Sequence, residues 1–158
     1  MTKTTQATVY VTYIATSAEK CWAALTQSEF TTKFFFGRSV ESDWKTGSRW
    51  ALKKPDGSPD VSGKVVESDP PHKLVLSWSV DWAPTDIPEC FVTYLIEPVG
   101  KNLIRLTMTE DHPTPIAEAL LEGGRRGWPM ILSGLKSLLE TGKPLDIPTP
   151  QPPKEMQA

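Results

Sequence analysis

The feature that most constrains the fold is a series of short alternating runs between residues 37 and 112. Apolar and polar side chains alternate within each run, and clusters of Gly, Pro, Asp and Asn separate the runs. This pattern is typical of antiparallel strands joined by short turns. It predicts six consecutive strands, at 38–44, 48–54, 61–69, 73–81, 89–97 and 102–110.

A further strand and two short helices are predicted ahead of these runs. Residues 7–14 alternate in the same way, with Val9, Val11 and Tyr13 on one face. After that strand, Thr16 and Glu19 have the spacing of a helix capping box, and Thr26 and Glu29 repeat the spacing. The repeat predicts that a second short helix starts there, rather than a continuation of the first.

A sheet of seven antiparallel strands has an apolar face that another layer must cover. The C-terminal segment offers that cover, because its apolar residues follow the i, i+3, i+4, i+7 spacing of one helical face. We therefore predict an α+β fold in which a long C-terminal helix lies across a curved sheet. The predicted buried stripe consists of Trp128, Ile131, Leu132, Leu135, Leu138 and Leu139.

The start of this helix carries glycines and a proline. Proline is tolerated in the first turn of a helix and is costly inside it, so Pro129 predicts that the regular helix begins, or resumes after a kink, near Gly127 or Trp128. Residues 114–122 would then form a separate or bent leading segment. Missing side chains at 123, 124 and 127 would leave space beside Trp128, which we interpret as a hinge or the mouth of a cavity.

Length and charge limit the classes of function. The chain has 158 residues, enough for one domain, which we expect at 1–142, followed by an extended, mobile, Pro-rich tail at 143–158. The net charge of −2 and the lack of long charged blocks argue against nucleic-acid and anionic-membrane partners. The N-terminal residues contain no long apolar run, so we expect a cytoplasmic protein without membrane insertion.

Metal and redox motifs are not visible. Cys21 and Cys90 lack the close spacing of a zinc or redox pair and are expected to be buried, reduced thiols. His72 and His112 stand in no metal-ligand motif. We expect neither a metal nor a cofactor.

Four segments, in order, resemble successive signature blocks of a known family. They read SAEKCWAALTQSEF, ESDWKTGSRW, GKVVESDPPHKLVLSW and GWPMILSGLKSLLETG. The chain is similar over residues 7–142 to the activator of heat-shock protein 90 ATPase homologue-like family, in the SRPBCC (START-related, birch-pollen-allergen-like) superfamily. It departs from the family at FFFG, where a tryptophan is usual, and at Pro129.

The resemblance implies a helix-grip fold. In that fold a seven-stranded sheet curves around the C-terminal helix, a deep apolar cavity lies between them, and two short helices close one end. The resemblance does not imply one function, because a fold shared this widely cannot name a ligand.

Strand alternation and the helix stripe together define candidate ligand-binding residues. If the apolar strand faces meet the helix, they form an apolar wall with a few polar groups, which suits a small molecule. The alternative is ordinary core packing in which every polar atom has a partner. The candidates are Trp78, Tyr94, Met108, Glu110, Gly124, Trp128 and Leu132.

The roles of several other aromatic and basic residues are also considered. Trp44 and Trp50 flank a predicted turn and are expected to pair across the hairpin. Trp82 begins a loop that either covers the cavity, offers a surface to a partner, or anchors the loop by burial. Arg125 and Arg126 are either solvated or hold an anion near the start of the helix.

Three functions follow from these observations. The leading hypothesis is binding of a small apolar ligand in the central cavity without chemical change. The alternative is a co-chaperone-like protein that acts on a heat-shock protein 90 type ATPase. The third is an enzyme using Glu110 or Tyr94; no catalytic motif supports it, and Asp111 and His112 should face opposite sides of their strand.

Overall fold

The computed structural model describes residues 3–81 and 87–148. Within these residues, seven strands form one antiparallel sheet and three helices accompany it. The α+β helix-grip architecture is confirmed, with two short helices between the first two strands and a long helix at the C-terminal end. The elements are β1 (Lys3–Ile14), α1 (Ala18–Thr26), α2 (Ser28–Phe34), β2 (Ser39–Ser42), β3 (Arg49–Lys53), β4 (Pro59–Asp69), β5 (Lys73–Val80), β6 (Cys90–Gly100), β7 (Leu103–Ala117) and α3 (Glu118–Thr141).

The strand order in the sheet is β1-β7-β6-β5-β4-β3-β2. Strands β2 to β7 form the meander that the alternation predicts, and β1 adds to the far side by pairing with β7. In that pairing Tyr10 lies opposite Met108 and Thr8 lies opposite Glu110. The first and last strands are therefore neighbours, and their inward faces meet α3.

β1 turns its more polar face inward. Val9, Val11 and Tyr13 point away from the helix and are 58%, 53% and 48% exposed. Thr8 and Tyr10 lie on the opposite, partly buried face. The strand thus leaves an apolar row in solvent, which we call the outer stripe (Val9, Val11 and Tyr13).

α3 is longer than its proline suggests. It begins at Glu118, not near Gly127, so residues 118–122 belong to the same helix and the separate leading segment is wrong. Pro129 lies inside the helix on its exposed side. A helix-interior proline costs about 3 kcal/mol, whereas burial of several large side chains contributes about 1.5–3 kcal/mol each. Packing of the stripe therefore outweighs the proline.

The predicted stripe is confirmed as the packed face of α3. Trp128, Ile131, Leu132, Leu135 and Leu138 are buried, and Leu139 packs against the core while partly buried. The helix ends with Gly142 in the left-handed conformation at φ 79°, where its N–H donates to the Leu138 carbonyl at 2.9 Å. This is a common helix ending, because glycine adopts that conformation at little cost.

The two short helices exist, but their caps differ from the predicted ones. Ser17, not Thr16, caps α1 by accepting a hydrogen bond from the Lys20 N–H at 3.2 Å. Gln27 stands at the cap position of α2 and makes no side-chain cap bond. The hydroxyl of Thr26 instead donates to the Trp22 carbonyl at 2.7 Å.

The sheet depends on one close approach between β4 and β5. A Cβ atom at Gly63 would lie 2.0 Å from the backbone oxygen of Ser77, so only glycine fits there. The same oxygen accepts a hydrogen bond from the Trp50 indole at 2.8 Å. Gly63 therefore allows β5 to approach β4 closely at the carbonyl that binds the Trp50 indole.

Some predicted features lie at or beyond the limits of the described chain. Residues 143–148 have no regular secondary structure and are mostly exposed, whereas 149–158 and Trp82 lie outside the described residues. Among the helices that are described, none is long and apolar enough to cross a membrane.

Candidate functional site

Five aromatic rings meet between the sheet and α3, and we call them the aromatic cluster (Phe35, Trp50, Trp78, Tyr94 and Trp128). Trp78 lies at the centre, with its ring centroid 4.9 Å from that of Trp50, 5.3 Å from that of Trp128 and 6.2 Å from that of Phe35. Phe35 and Tyr94 meet Trp128 edge-on, at 5.7 and 6.4 Å. These separations are typical of directly packed aromatic rings.

Each ring of the cluster comes from a different element. Phe35 follows α2, Trp50 lies on β3, Trp78 on β5, Tyr94 on β6 and Trp128 on α3. Four of the rings belong to buried residues, whereas Trp78 is only partly buried. Trp78 is therefore the ring through which the cluster borders the outside.

The interior is packed in this conformation. The cavity beside the cluster has a volume of about 10 Å³ and is bordered by side chains that include Trp44, Trp50, Trp78 and Tyr94. A cavity of that size holds at most about one water molecule. A ligand could enter only if one or more rings moved.

A wider surface pocket of about 250 Å³ lies away from the aromatic cluster. It is bordered by the start of α1, including Thr16 and Ser17, and by the turn between β6 and β7, including Asn102. No ring of the aromatic cluster borders it. Its size alone does not give it a chemical role.

Glu110 provides a buried carboxylate next to the cluster. The residue is 7% exposed, and its two carboxylate oxygens accept separate hydrogen bonds. His112 Nε2 lies 2.9 Å from Oε1, and the Trp128 indole N–H donates to Oε2. The carboxylate is therefore tied both to its own strand and to α3.

Gly124 lets the helix approach this carboxylate. A Cβ atom at position 124 would lie 2.8 Å from Glu110 Oε1, closer than side-chain carbons come in real structures. The helix backbone and the carboxylate are thus in direct contact. Any larger residue at 124 would push Glu110 or the helix away.

Two polar atoms near Glu110 have no hydrogen-bond partner. They are Nδ1 of His112, whose residue is 8% exposed, and the hydroxyl of Tyr10. An unpaired buried polar atom costs about 1–3 kcal/mol. Their presence in a packed interior is one reason to regard this region as functional.

Burial and charge both act on the phenols of this region. Burial, and then the Glu110 charge, raise the pKa of Tyr10, and Arg125 opposes them. Burial raises the pKa of Tyr94 strongly. Both phenols thus keep their protons at neutral pH, so Tyr94 is a poor base for the enzyme hypothesis.

The structure brings the predicted site residues together in two groups. Trp78, Tyr94 and Trp128 lie in the aromatic cluster, whereas Glu110 and Gly124 form the polar contact beside it. The other two are core residues near these groups. Met108 is fully buried opposite Tyr94 in the β6–β7 pairing, and Leu132 is buried on α3 one turn after Trp128.

Three members of the site were not among the predicted residues. His112 stands two residues after Glu110 and so shares its strand face, which places it beside Glu110 rather than with Asp111. That spacing was a usable signal. Phe35 follows a short helix without periodicity, and Trp50 was assigned to a hairpin pair.

The hairpin interpretation of Trp44 and Trp50 is wrong. Trp50 lies opposite Ser42 in the β2–β3 pairing, and its ring packs on Trp78. Trp44 follows β2 with a φ of 60°, and its indole donates to the Thr26 carbonyl at 2.9 Å. The two indoles therefore donate to different backbone carbonyls, that of Thr26 for Trp44 and that of Ser77 for Trp50.

Arg125 is held by its own helix. It pairs with Glu118 at 3.2 Å and also with Glu122. This arrangement satisfies the guanidinium without a bound anion. In the part of the chain that the structure describes, no group of three or more His, Cys, Asp or Glu is placed to hold a metal ion.

Several solved structures share this fold. An HSP90 activator from Plasmodium falciparum has 22% sequence identity and a TM-score of 0.71, over 84% of this chain and 95% of that one. Protein MLL2253 from Mesorhizobium loti has 22% identity and a TM-score of 0.72, over 85% and 96%. The Aha1 dimer from Colwellia psychrerythraea has 20% identity and a TM-score of 0.70, over 87% and 98%.

At these identities the solved structures establish the fold alone. No curated protein matches the chain significantly. The family comparison is more specific, because the profile of the Activator of Hsp90 ATPase homolog 1-like proteins matches residues 15–140. This region includes the aromatic cluster, Glu110 and nearly all of α3, and on that basis the chain belongs to the family of Activator of Hsp90 ATPase homolog 1-like proteins.

Proposed function

We propose that the chain binds a small, mainly apolar molecule between the sheet and α3, next to the aromatic cluster, without chemical change. The observation that supports this most is the buried Glu110–His112 pair beside five aromatic rings. Burying charged or polar groups costs stability unless every atom is paired. Such a group in an otherwise apolar interior is a candidate binding feature.

The entrance we propose lies between α2 and α3. A Cβ atom added at Gly134 of α3 would lie 3.5 Å from Phe34 of α2, and Gly127 lies two helical turns earlier on the same side. A Cβ atom added at Gly127 would meet no described atom within 4 Å. Movement of the partly buried Trp78 would join this opening to the interior.

An NMR titration of the ¹⁵N-labelled full chain with p-xylene tests the proposal. The indole N–H signals of Trp78 and Trp128 should shift and saturate, because these rings border the proposed site. The amide signals of Val9 and Val11, on the outer stripe, serve as internal controls. Unchanged indole signals up to the solubility limit of p-xylene would contradict the proposal.

A second function is supported by the outer stripe. We propose that this row contacts another protein, with a heat-shock protein 90 type ATPase as the partner to test first. An exposed apolar row on a sheet face is typical of a contact surface, and one protein of similar fold is described as an HSP90 activator.

Calorimetry with the purified ATPase tests the second function. A Val9→Ser/Val11→Ser variant should bind at least about tenfold more weakly than the original chain, since the loss of buried apolar area weakens association. Val66→Ser is the matched control, because Val66 is 46% exposed and lies outside the stripe. Absence of binding by the original chain would end this proposal.

A further inference from the structure

The hydrogen bond to Glu110 determines which nitrogen of a neutral His112 carries the proton. A carboxylate oxygen is an acceptor, so the imidazole donates to it from Nε2. In the neutral ring the other nitrogen, Nδ1, is then an acceptor. This nitrogen is buried and has no partner. Glu110 therefore positions an imidazole that presents one unused acceptor to the interior.

Tyr10 adds a second unused group in the same region. Its residue faces inward from β1 opposite Met108, two positions before Glu110 on β7. Its hydroxyl is buried without a partner and lies close enough to Glu110 to be affected by the Glu110 charge. A phenol hydroxyl both donates and accepts.

The two unpaired groups indicate which chemical group of a ligand would fit between them. Nδ1 of His112 needs a donor, and the Tyr10 hydroxyl can donate to an oxygen. A hydroxyl group is both donor and acceptor, so it matches this pair. An amine cation would match less well, because it can only donate and offers no acceptor to the hydroxyl proton of Tyr10.

We propose that His112 and Tyr10, with Glu110 as the positioning residue, form a recognition site for one hydroxyl group, so that the cavity takes an apolar molecule carrying a hydroxyl. This inference rests on the proposed binding function and names its ligand class. In this site the hydroxyl of the ligand lies beside Glu110, and the apolar part of the ligand lies among the rings of the aromatic cluster.

Two probes that differ only at one group test the inference. p-Cresol and p-xylene have nearly the same shape, and the first carries a hydroxyl where the second carries a methyl group. An entirely apolar cavity favours p-xylene, because burial of an unpaired hydroxyl is costly. The hydroxyl site predicts the reverse, with p-cresol bound about tenfold more tightly in NMR titrations of the full chain.

Two variants locate the preference. His112→Gln retains an amide donor for Glu110 but lacks an acceptor at the Nδ1 position, so it should lose the preference for p-cresol, measured as the ratio of the p-xylene and p-cresol dissociation constants. Tyr10→Phe removes only a hydroxyl and should reduce the preference by several fold. The ratio of the two dissociation constants is the readout, because a general change in the cavity affects both probes. Tyr10→Phe is sufficient for the test if His112→Gln does not fold.

The outcomes separate the two proposals. Tighter binding of p-xylene than of p-cresol by the original chain overturns the hydroxyl site and leaves the binding function standing. A p-cresol preference that survives both substitutions also overturns it. Absence of binding of either probe contradicts the binding function, and the hydroxyl site with it.

Discussion

The buried carboxylate of Glu110 is compensated by a small number of hydrogen-bond donors. The stability of the folded protein depends on each of these hydrogen bonds. The carboxylate accepts one bond from His112 and one from Trp128, and Gly124 presses against it from α3. Hydrogen bonds to charged groups contribute more than neutral ones, and loss of one leaves the charge poorly compensated. The Trp128 indole therefore stabilises the protein through the hydrogen bond of its N–H as well as through burial of its ring surface.

Replacement of Trp128 by phenylalanine tests this contribution. Trp128→Phe should lower the free energy of unfolding by about 2–4 kcal/mol, through loss of the bond to Glu110 together with some packing area. Trp44→Phe is the matched control, since its indole donates to a neutral carbonyl and should cost about 1–2 kcal/mol. Urea denaturation measures both, and equal losses would contradict a special role for the Trp128–Glu110 bond.

Cys21 makes stability depend on pH in the alkaline range. Burial raises the pKa of its thiol to about 12, whereas an unfolded thiol titrates near about 8.5. Between these values the folded state binds the proton that the unfolded state has lost, so the free energy of unfolding falls as pH rises. The contribution of Cys21 is fully present below about pH 8.5 and is lost as pH approaches about 12.

Urea denaturation of the original chain and Cys21→Ala at several alkaline pH values measures this contribution. Other groups titrate in the same range, so the difference between the two proteins isolates Cys21. The original chain should lose up to about 1.4 kcal/mol per pH unit more than the variant above about pH 8.5. Parallel curves would show that the thiol is not shielded as described.

At the scale of elements, the strands could be predicted because their side chains alternate with a period of two. The bounds of β7 and α3 were harder to predict than their existence. β7 continues to Ala117, beyond the predicted end at residue 110, and α3 begins at Glu118 although Pro129 predicts a later start. In the helix, packing of the buried stripe outweighs the local preference of one residue.

The residues of the candidate site could be predicted where they lie on regular strands, but not where they lie outside regular elements. Alternation placed Trp78, Tyr94 and Glu110 on the inward face, because a strand fixes which side each residue takes. Phe35 could not be found in this way, since it follows a short helix whose direction depends on tertiary contacts. Whether the interior is open or filled depends on the positions of the aromatic rings, and the periodicity of strands and helices does not determine those positions.

α3 offers a matched pair of glycines for testing the proposed entrance. A leucine at Gly127 would occupy the open space beside Trp128, whereas Gly123 is exposed and also has open space around it. Both changes should stabilise the helix by roughly 0.8 kcal/mol, because leucine is a better helix former than glycine.

Only Gly127→Leu should interfere with ligand entry. We expect p-xylene binding to weaken at least about tenfold in this variant and to stay unchanged in Gly123→Leu, as measured by NMR titration. Thermal unfolding confirms that both proteins fold. Equal binding by the two variants would place the entrance elsewhere.

At the scale of the whole molecule, one sheet presents two surfaces for which we propose different uses. Its inner face and α3 enclose the aromatic cluster and Glu110, and its outer face carries the outer stripe. Ligand binding inside and protein contact outside are compatible, since they use opposite faces of the same strands. A ligand that moves Trp78 would change the inner layer without contacting the outer one.

A crystal structure of the chain with p-cresol tests the central claim most directly. We predict density for the ligand between the Trp78 and Trp128 rings, with Trp78 displaced and the hydroxyl within hydrogen-bond distance of His112 Nδ1. Density confined to the outer stripe, with the aromatic cluster unchanged, would contradict the claim that the interior is the binding site.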